Sequence, residues 1–168
     1  MSGLVTEGLT GPWGLARGDS FLLRGTDPAA GASFSFPVPG EYIARPRACV
    51  FTLATDGNAG NRFVRVEYQD GAGVAYCVNG AGVVITASST RRFAGSSSRG
   101  AGEQATGTDV FFPLEPAYCF PGSELAIVVG TIKAGDQLSG IVFLIERFFT
   151  GPRGEPIGAV PADAVPSF

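Results

Sequence analysis

The chain has 168 residues, a net charge of −3 and no histidine. Its length suits one domain with tails, large enough to bury roughly two-thirds of its extended surface. The acidic balance argues against a nucleic-acid binder, which needs a clustered positive surface, and the missing histidine removes the commonest general base, proton shuttle and metal ligand.

Residues 1–31 read as an N-terminal arm. Glycine recurs through it, at Gly3, Gly8, Gly11, Gly14, Gly18 and Gly25. Trp13, Phe21, Leu22 and Leu23 are too apolar for a free linker. They are expected to dock on the body or on a neighbouring subunit. Met1 to Thr10 has no basic start and no apolar run, so no signal peptide is expected.

The body, residues 32–149, reads as strands separated by turn residues. Ser33 to Phe36 alternates serine and phenylalanine and stops at Pro37 and Pro39. Tyr42 to Thr55 is a long strand with Cys49, Phe51 and Leu53 on one face and Ala48, Val50 and Thr52 on the other. Pro46 cannot donate to a ladder and predicts a bend or an edge. Asp56 to Asn61 is a loop. Arg62 to Gln69 places Val64, Val66 and Tyr68 inward and Arg65 and Glu67 outward, the period of a half-buried strand. Asp70-Gly71 signals a tight turn.

Val74 to Val78 and Val83 to Ser88 read as a fifth and a sixth strand. Arg91, Arg92 and Arg99 read as a solvated or interface loop rather than a phosphate site. The Gly/Ser/Ala-rich residues 94–107 are expected to form a mobile loop. Asp109 to Leu114 is a short strand, and Leu125, Ile127 and Val129 alternate in the next. Gly135-Asp136 turns the chain into Leu138 to Phe149. There Ile141, Phe143 and Ile145 share one face, and Leu138, Val142, Leu144 and Phe148 share the other. Both faces are apolar, so both need cover. The core supplies one cover; an arm or another subunit must supply the second.

Residues 150–168 form a C-terminal Pro-rich arm, with Pro152, Pro156, Pro161 and Pro166 before Phe168. Such a segment loses little entropy when it lies along a neighbour. About eight strands with no helical period predict an all-β fold, an antiparallel β-sandwich, jelly-roll-like, with extended N- and C-terminal arms. An up-and-down barrel is the alternative. The apolar runs Leu125 to Val129 and Ile141 to Ile145 are too short to span a bilayer, so no membrane contact is expected.

No reactive centre assembles from these residue types, and the chain is expected not to be an enzyme and to need no cofactor or metal. Cys49, Cys77 and Cys119 have no CxxC spacing and no histidine to activate them. Cys49, in phase with Phe51 and Leu53, is expected to pack as a small apolar residue. The cysteine pattern favours assembly inside a cell over an oxidising compartment. No G-x-S-x-G elbow is present. Lys133, the single lysine, sits beside a turn. Asp56, Asp70, Asp109 and Asp136 are carboxylate candidates, but each sits where an Asp side chain serves a turn. Asp56-Gly57-Asn58 with Glu67 mimics part of a calcium loop, yet Asn61 stands where that loop needs glycine. Trp13, Tyr42, Tyr68, Tyr76 and Tyr118 are glycan platforms only if they leave the core.

Two stretches carry a resemblance. The first is Arg45-Pro46-Arg47-Ala48-Cys49-Val50-Phe51-Thr52-Leu53-Ala54-Thr55-Asp56, running on to Asn61-Arg62-Phe63-Val64-Arg65-Val66. The second is Ile132-Lys133-Ala134-Gly135-Asp136-Gln137-Leu138-Ser139-Gly140-Ile141 with Ile145-Glu146-Arg147-Phe148. Over about residues 40 to 150 the combination resembles small all-β structural proteins encoded by tailed bacteriophages of GC-rich bacteria. That resemblance implies a virion component assembled in the host cytoplasm, first a capsid decoration (cement) protein. A neck, tail or fibre component is the alternative. A carbohydrate-binding β-sandwich for host attachment is the alternative of another class. The expected partners are copies of itself, in a homo-oligomer such as a trimer, and the major capsid protein or another virion protein. Large apolar side chains dominate such contacts, which selects Trp13, Phe21, Leu22, Leu144, Phe148, Phe149 and Phe168.

Overall fold

Strict alternation of apolar and polar residues gives each strand one face for a core and one for the outside. In the computed structural model, which describes residues 19–98 and 104–149, such segments form ten strands and no helix. In chain order they are β1 (Asp19–Arg24), β2 (Phe34–Pro37), β3 (Tyr42–Ala54), β4 (Arg62–Gln69), β5 (Ala75–Ile85), β6 (Thr90–Ser96), β7 (Gln104–Thr106), β8 (Asp109–Pro113), β9 (Glu124–Gly130) and β10 (Gln137–Phe149). One sheet has the order β1-β10-β3-β6-β8-β7 and the other β2-β9-β4-β5. Their inner faces meet in a single core that includes Phe51, Phe93, Phe112 and Phe143 from the first sheet and Val66, Tyr68 and Ile127 from the second.

Setting β7 and β8 aside, β1·β10, β2·β9, β3·β6 and β4·β5 are all antiparallel pairs. A long hairpin folded over so that its successive pairs fall alternately in two sheets has this connectivity, which is the jelly roll. The fold class is therefore the expected sandwich. β7 and β8 extend the larger sheet beyond β6, and β6·β8 is a parallel pair.

The observed elements differ from the expected ones at four places. Residues 19–24 of the N-terminal arm are β1, paired along β10 from Asp19 opposite Arg147 to Arg24 opposite Val142. The expected fifth and sixth strands are one strand, β5. Residues 90–96, read partly as an Arg-bearing loop and partly as a mobile one, are β6, with Phe93 fully buried between β3 and β8; Gln104–Thr106, inside the same stretch expected to be mobile, is β7, paired with β8. Gly95 belongs in β6 because a side chain would not fit. A Cβ on it would lie 2.8 Å from the Phe112 ring and 2.9 Å from Cys49 Sγ.

The fourth difference is the phase of Leu138. Gly140 has φ +61° and sits where the β10·β3 register slips between Ser139 and Val142. Such a bulge inverts the alternation, so Leu138 is buried along with Ile141. Pro46 behaves as expected. The β3·β6 ladder spans only Ala48 to Ala54, and the register against β10 slips beside Pro46. Trp13, Arg99 and Phe168 lie outside the described residues, as does the C-terminal arm.

Candidate interaction surface

The outer face of the six-stranded sheet is built from the residues between the core-facing ones. Val142 is paired with Val50, Val50 with Ala94, and Ala94 with Phe111. One row along, Leu22 is paired with Leu144 and Leu144 with Ala48. These seven side chains make an apolar band across β1, β10, β3, β6 and β8. Leu22 is 58% exposed and Leu144 36% exposed, while the others are half-buried. Charge flanks the band. Glu146 bridges Arg45 at 3.7 Å and Arg47 at 3.4 Å on one side, and Arg92 is paired with Asp109 on another. An apolar centre rimmed by charge is the usual anatomy of a protein contact.

The residues selected from sequence fall in different places. Leu22 and Leu144 are neighbours on this face. Phe21 points the other way; its ring meets Tyr42 edge-on at 6.0 Å, and the Arg147 guanidinium stacks on it at 5.1 Å. Phe148 is buried, with its ring 5.8 Å from that of Tyr118. The backbone of Phe149 pairs with Tyr42 at the end of β10, and its side chain lies outside the described residues. Val50, Val142, Ala94 and Phe111 were not selected. The alternation in each strand marks their face, but only the register joins them.

The carboxylates do more than serve turns. Arg62, the first residue of β4, is 0% exposed. All of its guanidinium N–H groups are spent. Nε and Nη2 donate to the two Asp136 oxygens at 2.9 Å each, and Nη2 also donates to Asp56 Oδ1 at 2.6 Å. Nη1 donates to the carbonyls of Asn58 and Gly60 at 2.9 and 2.7 Å. Asp136, also 0% exposed, accepts the N–H groups of Asp56 and Lys133 at 2.9 and 2.8 Å. Burial alone would raise its pKa, but the bonds from Arg62, Asp56 and Lys133 hold it below the ordinary value. The hydrogen bond that Arg62 donates to Asp136 raises the pKa of Arg62 against the opposing effect of burial.

This cluster ties together the loops at one end of the sandwich. Gly31 donates to the Asp136 carbonyl and Ser88 to the Asp56 carbonyl, at 2.8 and 2.7 Å. Thr55 Oγ1 donates to the carbonyls of Thr86 and Ser89. The four loops before β2, β4, β6 and β10 are thereby cross-linked. With every donor occupied, Arg62 has none left for a ligand.

Comparison with protein-family models, curated proteins and solved structures gave no match. Several of the remaining candidate residues are engaged within the fold. Asp70 accepts the N–H groups of Ala72 and Val74 at 2.9 Å, as its turn requires. Glu67 pairs with Arg65 at 3.0 Å and Asp56 with Arg62, so the calcium-loop candidates face different groups. No cluster of three metal-ligating side chains occurs among the described residues. Burial lifts the thiols of Cys49 to about 12 and Cys119 to about 11. Tyr42 and Tyr68 are core residues, whereas Tyr76 is exposed and donates its hydroxyl to the Tyr118 carbonyl at 3.1 Å.

Proposed function

We propose that the chain is a non-enzymatic structural protein of a tailed-bacteriophage virion, a decoration protein that stabilises the capsid through apolar contacts. The observation that carries this reading is the Leu22–Leu144 band, an apolar strip left on the outside of a sheet whose other face already fills the core. The jelly roll is shared by viral capsid and lectin domains, but a fold hosts many functions, so the argument rests on the band. A shell protein seated there would remove the strip from water. The charged rim would set its orientation.

Particles provide the test. Antibody against the chain should label the capsid of virions purified from the phage that encodes it. A Leu22→Asp/Leu144→Asp double variant should fold normally and be lost from those particles. Label on the neck, tail or fibre would move the protein off the shell, and equal incorporation of the variant would remove the band from the contact. The carbohydrate-binding alternative expects the isolated protein to be retained on host polysaccharide; the structural role expects it to pass through.

A further inference from the structure

Partner surfaces match in charge as well as in shape. Strand register places the charged residues around the Leu22–Leu144 band. Arg24 is paired with Val142, and Arg92 is paired with Thr52, which shares a face with Val50. Glu146 lies two residues beyond Leu144, and its bridges bring Arg45 and Arg47 to the same side. Asp109, two residues before Phe111, is paired with Arg92. Among the described residues, the outward face of the six-stranded sheet therefore holds four arginines and two carboxylates, a surplus of two positive charges on a chain of net charge −3. The other sheet lacks this bias. In its outward phase Glu67 answers Arg65 at 3.0 Å, and Glu124 adds a further carboxylate.

The surplus is not neutralised within the fold. Arg24 and Arg92 are exposed and make no ion pair among the described residues. One oxygen of Glu146, Oε2, serves both Arg45 at 3.7 Å and Arg47 at 3.4 Å. The Arg45 guanidinium is held 5.4 Å over the Tyr118 ring, and the Arg47 side chain is 40% exposed. Arg45 and Thr52, the latter beside Arg92, stand at either end of the band on β3, roughly 20 Å apart at about 3.3 Å per residue. Arg24 stands at its β1 edge.

We infer, resting on the capsid-seating reading above, that the partner seated on the band is an acidic protein surface, an apolar strip flanked by carboxylates at roughly that spacing. A carboxylate matches the guanidinium fork bidentately. Covering the band would also draw these arginines out of water, where a charge without a partner is costly. A phosphate backbone offers charge but no apolar strip to cover Leu22, Val50, Val142 and Phe111.

Binding to capsids that lack the chain tests this. The wild type is compared with Arg24→Glu/Arg92→Glu, Arg24→Lys/Arg92→Lys and Leu22→Asp/Leu144→Asp. Reversal at two exposed positions should leave the Tm and mass of the isolated chain unchanged. It should weaken binding about 100-fold at about 50 mM NaCl. The deficit should shrink several-fold at about 0.5 M, where screening shortens the reach of charge. The lysine pair should bind within about 10-fold of the wild type. If the reversed pair does not fold, Arg92→Glu alone gives the same reading. Reversal that binds as the wild type does, or a deficit indifferent to salt, overturns the proposal. A shifted Tm or mass of the isolated reversal variant would place the carboxylates on this chain's own arms or on a second copy, and overturns it too. So does retention of the wild type on DNA-cellulose at about 150 mM NaCl that reversal abolishes, since the partner would then be a nucleic acid. Leu22→Asp/Leu144→Asp separates the two readings. If it is lost from capsids while the reversal variant binds normally, the acidic partner alone is struck out; if it binds as the wild type does, the band is not the seat.

Discussion

Arg62 is the residue where most is at stake. Its charge is out of water and balanced by Asp136 and Asp56, and removing one partner of a buried pair costs far more than an exposed pair contributes. Asp136→Asn keeps the shape and deletes the charge. Its Tm should fall by about 10 °C in a calorimetric scan at pH 7. The pH response follows from the direction of the shift. The folded-state pKa of Asp136 lies below its unfolded value of about 3.9. Its contribution is therefore complete above that value and disappears as pH falls through the lower, folded-state one. Between pH 5 and pH 2, the wild-type Tm should drop more steeply than that of Asp136→Asn; parallel curves would assign the acid response to other carboxylates. The thiols provide an independent reading. Burial raises the pKa of all three, but Cys49 and Cys119 are buried while Cys77 is half-exposed. Because the thiolate is the reactive form, iodoacetamide should reach Cys77 of the native protein slowly and spare the other two until unfolding. Mass spectrometry of the alkylated peptides checks this, and equal labelling of all three would contradict the packing.

At the level of elements, legibility tracked how cleanly one face was apolar. β4 sends Val64, Val66 and Tyr68 into the core as its alternation predicts and its bounds could be read directly, although Glu67, expected outward, is buried beside Arg65 and Gln69; the second apolar face of β10 could be read as well. β5 could not, because Asn79-Gly80 has the composition of a turn. The Asn79 side chain bonds across to Val66 and Glu115 instead of closing a turn, and those partners are distant in sequence. Leu138 lies on the face opposite to the one its alternation predicts because a single positive-φ glycine, Gly140, inverts the phase. The Arg62 clasp left no local signal either. Asp56 lies in the preceding loop, but Asp136 is 74 residues away and only the fold brings it close. β6 was hidden by glycine and serine, although Gly95 is small for a packing reason. Gly95→Ala would press a methyl group into Phe112 and Cys49. Overpacking of this kind costs about 1–3 kcal/mol. Urea unfolding should show a lower midpoint at unchanged slope; an unchanged midpoint would mean that β6 shifts freely.

For the whole molecule, the core and the clamped loop end leave the apolar band on the six-stranded sheet as the surface, among the described residues, that the proposed function uses. If the band seats the protein on a capsid, its effect is governed by mass action. A protein that binds only the assembled shell stabilises it by an amount that grows with the logarithm of its free concentration, about 2.7 kcal/mol per site at 100 times Kd. Capsids lacking the chain should therefore break open at a lower temperature, and adding the chain back should raise that temperature. The rise should continue slowly after the sites are filled, because free protein still penalises the opened shell. Leu22→Asp/Leu144→Asp should give no rise at the same concentration, since two carboxylates would have to enter the contact unpaired.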